Sequence, residues 1–320
     1  MKRPAFLAAA MLAAAVPAPA QTYPAKGIRM ITPSTPGGGT DLVARIISQK
    51  LSESLGRSVV VENRPGVDGI AGTDVLAKAM PDGYTIGMAQ PGPMTIARSL
   101  YPTLPYDPTR DFEPIVLANE SVSVLVVHPS LPARSVAEFV ALAKTRTINS
   151  AYPNVGTVQH LLTELFHQAA RIRVNPIPYK GGAPALTDTI GGHVDALWSV
   201  LPVALPFIQN GKLRPLAVAN DRRSVFLPNV PTFAETGWPK VVGTAWNGVI
   251  APAGTPREII LRLNTEIRTA LSTPEIRERY SALGMELFKE TTPAEFGAYM
   301  QNESTKWRGV ITTANIKLDQ

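Results

Sequence analysis

The sequence predicts an α/β protein of two units, each a mixed, mainly parallel sheet flanked by helices. Three observations predict it. Short apolar, β-branched runs alternate with stretches of helical periodicity, the mark of strand–helix–strand units. Roughly nine or ten such strands can be read, too many for one tidy sheet in a chain of 320 residues. Several helices start on glycine-led turns directly after a strand. No exact internal repeat is present.

The elements follow in order. "GIRMITP" (27–33) is a strand. In "DLVARIISQKLSESLG" (41–56), Leu42, Val43, Ile46, Ile47, Leu51 and Leu55 share one side of a helix that Gly56 stops. "SVVVENR" is a strand, "GIAGTDVLAKAM" a helix closed by the Pro-Asp-Gly turn at 81–83, and "YTIGMA" a strand. "SVSVLVVHP" (121–129) is nearly all apolar, as a buried strand is. Ser135 and Glu138 form a capping box before Phe139 and Leu142.

"INSAYP", "RVNPIPYKG", "HVDALWSV" and "LRPLAVAN" are strands, separated by helices "TVQHLLTELFHQA", "APALTDTIGG" and "PVALPFIQNG". Pro206 inside the last of these argues for a short helix. After a proline-rich connection, "VVGTAWNGVIAP" is a strand, and three helices close the chain. Thr255-Pro256-Arg257-Glu258 and Thr292-Pro293-Ala294-Glu295 each offer a Thr cap, Pro at the first position and Glu at the third. Thr273-Pro274-Glu275 begins similarly.

Residues 1–20 form a separate object. Lys2 and Arg3 precede an apolar run from Ala5 to Val16, and Ala18-Pro19-Ala20 supplies the small residues of a cleavage site. A secretory signal peptide cut after Ala20 is expected. The run is too short to span a bilayer comfortably. There are no cysteines, which excludes disulfides and thiol chemistry. The formal charge is +6, about +4 without Lys2 and Arg3, and the basic residues are scattered. That pattern gives no support to nucleic-acid binding.

"PGGGTD" (36–41) stands between a strand and a helix. A helix start carries unpaired N–H groups and partial positive charge, and glycines let its backbone approach an anion. One glycine would make a tight turn, and three exceed that need. Thr40 or Asp41 is the expected N-cap. The stretch is neither a P-loop nor G-x-G-x-x-G. "NVGTVQHL" (154–161) and "YKGGAPALTD" (179–188) repeat the device. In open α/β sheets such loops lie at the carboxyl ends of strands, where ligands bind.

His128, His160, His167 and His193 are scattered without metal-site spacing. Of the four, His160, close to Thr157, has the best claim to a ligand. No G-x-S-x-G is present. Trp198 and Trp246 are core residues by default, with a pocket wall as the alternative.

The segments "ITPSTPGGGTDLVARIISQKL", "VVENRPG", "DGYTIGM", "LPYDPTRDFEPI", "SAYPNVGTVQHL", "PYKGGAPALTDTIGGHVD", "VPTFAETG" and "GVIAPAGTP" together resemble the substrate-binding receptors of tripartite tricarboxylate transporters, the Bug family of extracytoplasmic solute receptors. The resemblance runs from about Tyr23 to the last helix. It implies a two-lobe periplasmic-binding-protein fold of type II-like form, joined by two crossing hinge strands near Val124–Val127 and Gly243–Asn247. Residues 21–123 with 243–320 would make one lobe, and 124–242 the other.

The resemblance also implies a non-catalytic periplasmic receptor, a monomer without cofactor or metal. It would capture a small organic carboxylate, such as a di- or tricarboxylate or an aromatic acid. It would pass the ligand to a membrane permease of the tripartite tricarboxylate type, or report it to a sensor. Binding carries over onto Pro36, Gly37, Gly38, Gly39, Thr40 and Asp41, onto Gly156, Thr157 and His160, and onto Gly181, Gly182 and Ala183.

Two departures stand out. Ser199 follows Leu197-Trp198 where the family often has Asp, and it is counted with the ligand-binding residues. "AQPGPMTI" replaces a more usual Ser/Thr-rich stretch, so the distal end of the ligand meets different chemistry. A ligand other than an acidic amino acid is expected. The rival reading is a periplasmic enzyme that uses the same loops as an oxyanion site.

Overall fold

The structure, a computed structural model, describes residues 23–287 and 291–317. The expected signal peptide, residues 1–20, lies outside the described residues.

Two groups of parallel strands carry the fold. In the first, β1 (Ile28–Thr32) lies between β2 (Val59–Asn63) and β3 (Thr85–Ala89). In the second, β5 (Ile148–Pro153) lies between β6 (Val174–Tyr179) and β7 (Ala196–Val200). The two long strands β4 (Phe112–Val127) and β9 (Thr244–Pro252) run between them, giving the order β2-β1-β3-β9-β4-β7-β5-β6. Every antiparallel pair involves β4 or β9, including those of β4 with β8 (Arg214–Val218) and β10 (Glu286–Leu287).

Strand β4 changes partners along its length. Phe112–Val122 pairs with β9, and Ser123–Val127 pairs with β7 and β8. The strand expected at 121–129 is thus the second half of a longer one. Its first half, "FEPIVLANE", carries Pro114 and two register shifts against β9, which break the alternation that marks a strand.

Helices α1 (Gly39–Leu55), α2 (Ile70–Ala77) and the short α3 (Ala97–Leu100) belong to the first half. Helices α4 (Val136–Thr145), α5 (Val158–Ala170), α6 (Gly182–Ile190) and α7 (Leu201–Gln209) belong to the second. Then come α8 (Arg257–Ser272), α9 (Pro274–Ala282) and α10 (Pro293–Ala314). None of the described helices is long and apolar enough to cross a membrane.

The apolar stripe read on α1 is buried: Val43, Ile46, Ile47 and Leu51 pack with Met30 of β1 and with Leu263 and Ile267 of α8. In the second half, Phe139, Phe166, Trp198 and Phe233 form an aromatic core. The Trp198 and Phe233 rings stack at 5.1 Å. Each such fully buried side chain contributes about 1.5–3 kcal/mol of apolar transfer. Helix α10 serves both cores. Its Phe296 meets Trp246 edge-on at 5.7 Å, while Trp307 is buried with the second-half aromatics.

The expected caps at Ser135, Thr273 and Thr292 each accept the N–H three residues on, and Glu295 completes a reciprocal box at Thr292. Thr255 differs. Its hydroxyl donates back to the Pro252 carbonyl at 2.7 Å, and α8 starts one residue later, at Arg257, without a side-chain cap.

Candidate ligand-binding site

Helices α1, α5, α6 and α7 each follow a parallel strand and begin at one cavity of about 110 Å³. Its wall includes the first residues or caps of all four: Gly38 and Gly39, Thr157 and Val158, Gly181 and Gly182, and Val200. The starts of α1, α6 and α7 have no capping side chain, so their leading N–H groups are left for another acceptor. Only α5 is capped, by Thr157 Oγ1, which accepts the His160 N–H at 3.2 Å. Four converging helix starts make the cavity electropositive through backbone dipoles alone. Among the described residues that line it, none carries a charged side chain.

The side opposite the glycine turns is built by the crossing strands. Asn247 of β9 donates to Asn119 Oδ1 of β4 at 3.1 Å, and Asn119 donates to Ser121 Oγ at 3.0 Å. Gln159 of α5 reaches Ser123 Oγ at 2.9 Å. Ser121, Gln159, Ser199 and Asn247 face the cavity as neutral polar residues. Buried amides and hydroxyls paired in this way are fixed in orientation.

The residues singled out in the sequence divide into two groups. Gly38, Gly39, Thr40, Thr157, Gly181, Gly182 and Ser199 line the cavity. Pro36, Gly37, Asp41, Gly156, His160 and Ala183 are not among its lining residues. The N-cap of α1 is Gly38, not Thr40 or Asp41. Thr40 Oγ1 is instead committed to Gln90 Oε1 at 2.7 Å, which ties the β1–α1 turn to the end of β3.

Asp41 folds the turn from behind. Its carboxylate accepts the Gly37 N–H at 2.9 Å, Arg45 Nε at 2.9 Å and Asn63 Nδ2 at 2.8 Å. Burial disfavours its charge, but hydrogen bonds from Arg45, Gly37 and Asn63 outweigh that and hold the carboxyl below its usual range.

His160 shapes the β5–α5 turn. Its ring lies on Tyr152 with centroids 4.9 Å apart, and Nδ1 accepts the Gly156 N–H at 3.3 Å. His167, further along α5, is half-buried, and desolvation pulls its imidazole down to about 4. The Trp198 and Trp246 rings pack into the two cores while their strands form part of the cavity wall.

Sequence reasoning missed Thr35 and Asp68. Thr35, before the glycine triplet, lies against Gly181 of the opposite half. Gln90 and Gly92, within the "AQPGPMTI" departure, line the cavity. Asp68 lies between the expected strand "SVVVENR" and the expected helix "GIAGTDVLAKAM", and no local signal in "RPGVDG" betrays its burial. It is 4% exposed, its backbone is left-handed (φ 54), and neither carboxylate oxygen has a hydrogen-bond partner. It is packed against Gly92 and Gly156.

The chain is similar to known proteins over nearly its whole length. Protein BugT of Bordetella pertussis is 39% identical over 316 residues, covering 98% of this chain and 96% of that protein. The solved structure of Rpa4515 from R. palustris with adipate superposes with a TM-score of 0.88 at 35% identity, covering 92% of this chain and 99% of that one. MatC from Rhodopseudomonas palustris with bound malate gives a TM-score of 0.85 at 29% identity, covering 90% and 100%. Residues 43–316 match the tripartite tricarboxylate transporter family receptor, and the chain belongs to that family.

Proposed function

We propose that this chain is a periplasmic solute receptor that captures a small organic carboxylate in the cavity between its two halves. The observation that carries the reading is the convergence of four helix starts, three of them uncapped, on a cavity without a charged side chain among its described lining residues. Such a site neutralises an anion with oriented N–H groups. Adipate and malate, bound by two of the similar proteins, are carboxylates of suitable kind. Export is supported by the signal-peptide pattern at residues 1–20.

The halves act as lobes, 21–123 with 243–320 and 124–242, and β4 and β9 are the crossing strands between them. The partner switch of β4 at Val122 and Ser123 supports a hinge there. A loaded receptor delivers its ligand to a membrane permease of the tripartite tricarboxylate type. A binder is favoured over an enzyme, because the described residues that line the cavity include no titratable side chain to act as a base.

The test is the melting temperature of refolded mature protein with mono-, di- and tricarboxylates, aromatic acids and acidic amino acids. A ligand at 100 times its Kd stabilises by about 2.7 kcal/mol, a shift of several degrees. A selective shift by one acid class is expected. No shift across the panel, or turnover of a bound acid, would overturn the reading.

A further inference from the structure

Asp68 belongs to the first half of the molecule, yet it is buried in part by the second. Gly66, Val67, Asp68 and Gly69 all have positive φ, 128°, 44°, 54° and 86°. Two of them are non-glycine residues in a region such residues seldom occupy. This strained turn drives the Asp68 carboxyl group into a slot. On one side is Gly92, just past β3, where a Cβ would clash with Oδ2. On the other is Gly156, in the β5–α5 turn of the opposite half, where a Cβ would stand 2.7 Å from the same oxygen. Both glycines are needed, since a side chain at either would occupy the place of the carboxyl group.

A buried carboxyl group without a hydrogen bond is costly when ionised and far less so when protonated. The neighbouring tyrosines do not offset this. Tyr101 and Tyr106, from the end of α3 and the segment after it, have hydroxyls raised first by burial and then by repulsion from the Asp68 charge. His160, on α5, directs Nδ1 to the Gly156 N–H. Among the described residues no ion pair is made by Asp68.

We propose that Asp68 is a protonation-dependent latch between the lobes: wedged against Gly92 and Gly156, its carboxyl group allows the cleft to close when protonated and opposes closure when ionised. Closure takes one proton from solvent onto the carboxylate, and opening returns it. Burial pushes the Asp68 carboxyl well above its usual range in the closed form, in keeping with this. The sign follows. Between the ordinary Asp range of the open form and the raised one of the closed form, the closed-to-open ratio falls by up to about tenfold per pH unit. Ligand capture is then accompanied by proton uptake and weakens as pH rises. The inference rests on the two-lobe closure of the proposed function.

The test needs no ligand, so its failure is separable from a failure of the receptor reading. The chain has no cysteine, so Ser54→Cys and Ala141→Cys place spin labels at exposed positions on either half of an otherwise label-free protein. Distances between them are measured from pH 5 to 8.5 in the Asp68 protein and in Asp68→Asn. Asparagine tolerates the left-handed backbone, so the variant keeps the turn. The Asp68 protein should shift towards longer distances as pH rises, and Asp68→Asn should stay closed throughout. The 13C signal of the Asp68 carboxyl carbon should titrate above the ordinary Asp range. A pH-independent distance in the Asp68 protein, the same pH dependence in Asp68→Asn, or an ordinary carboxyl titration would overturn the latch.

Discussion

The Thr35 side chain fills the space beside Gly181 that a Cβ would need, and so brings the turn after β1 against the turn before α6. Gly181 also has φ +115°, which L side chains rarely adopt. The glycine therefore serves close approach between the halves as well as access to a helix start. Gly181→Ala meets both obstacles, and should cost about 1–3 kcal/mol of stability and weaken ligand binding. Thr35→Gly in the same chain removes the steric part and should recover some of the binding. Calorimetric melting and a binding isotherm on the single and double variants check this. An unchanged isotherm in Gly181→Ala would contradict it.

Asp41 holds the glycine turn through Gly37, so its charge is a stability element of the site. Its folded-state titration lies below the unfolded value, so its contribution is present above about pH 4 and is lost as pH falls through the folded value. Asp41→Asn keeps the size but gives up the charge-assisted bonds to Arg45 and Gly37. At pH 7 it should lose about 1–3 kcal/mol, and the difference from the Asp41 protein should narrow at acid pH, below about pH 4. Urea unfolding at both pH values measures it. A difference that persists unchanged in acid would show that charge is not the cause.

Val67 is a β-branched residue at φ 44°, with 62% of its surface exposed. It has little packing to lose and backbone strain to release. Val67→Asn should stabilise the protein by about 1 kcal/mol, raising the melting temperature by about 2–4 °C. A lower melting temperature would mean that the side chain makes contacts that outweigh the strain.

Much of this architecture is legible because it rests on local chemistry. Thr292 and Glu295 satisfy each other's backbone within one turn, so the start of α10 can be read from four letters. The periodic stripe on α1 and the glycine-led starts at 38, 156 and 181 are local in the same sense. What escapes is set by distant partners. The first half of β4 is a strand because β9 pairs with it, despite Pro114. Thr255 forgoes its cap because the Pro252 carbonyl is within reach. The burial of Asp68 depends on Gly92 and Gly156, 24 and 88 positions away in sequence, and nothing within its own loop reports them. The cavity wall likewise draws on Thr35, Gln90 and Asn247, residues of types that are common on any surface.

The central claim is that backbone N–H groups at the helix starts hold a carboxylate. Amide NMR of 15N-labelled mature protein, titrated with the acid that raises the melting temperature most and with its uncharged amide, tests this directly. The account predicts that the acid moves the backbone amide protons of Gly39, Thr40, Gly182, Ala183 and Leu201 downfield, and that the amide leaves them in place. Acid-induced shifts confined to side-chain groups elsewhere, or equal shifts with the amide, would contradict it.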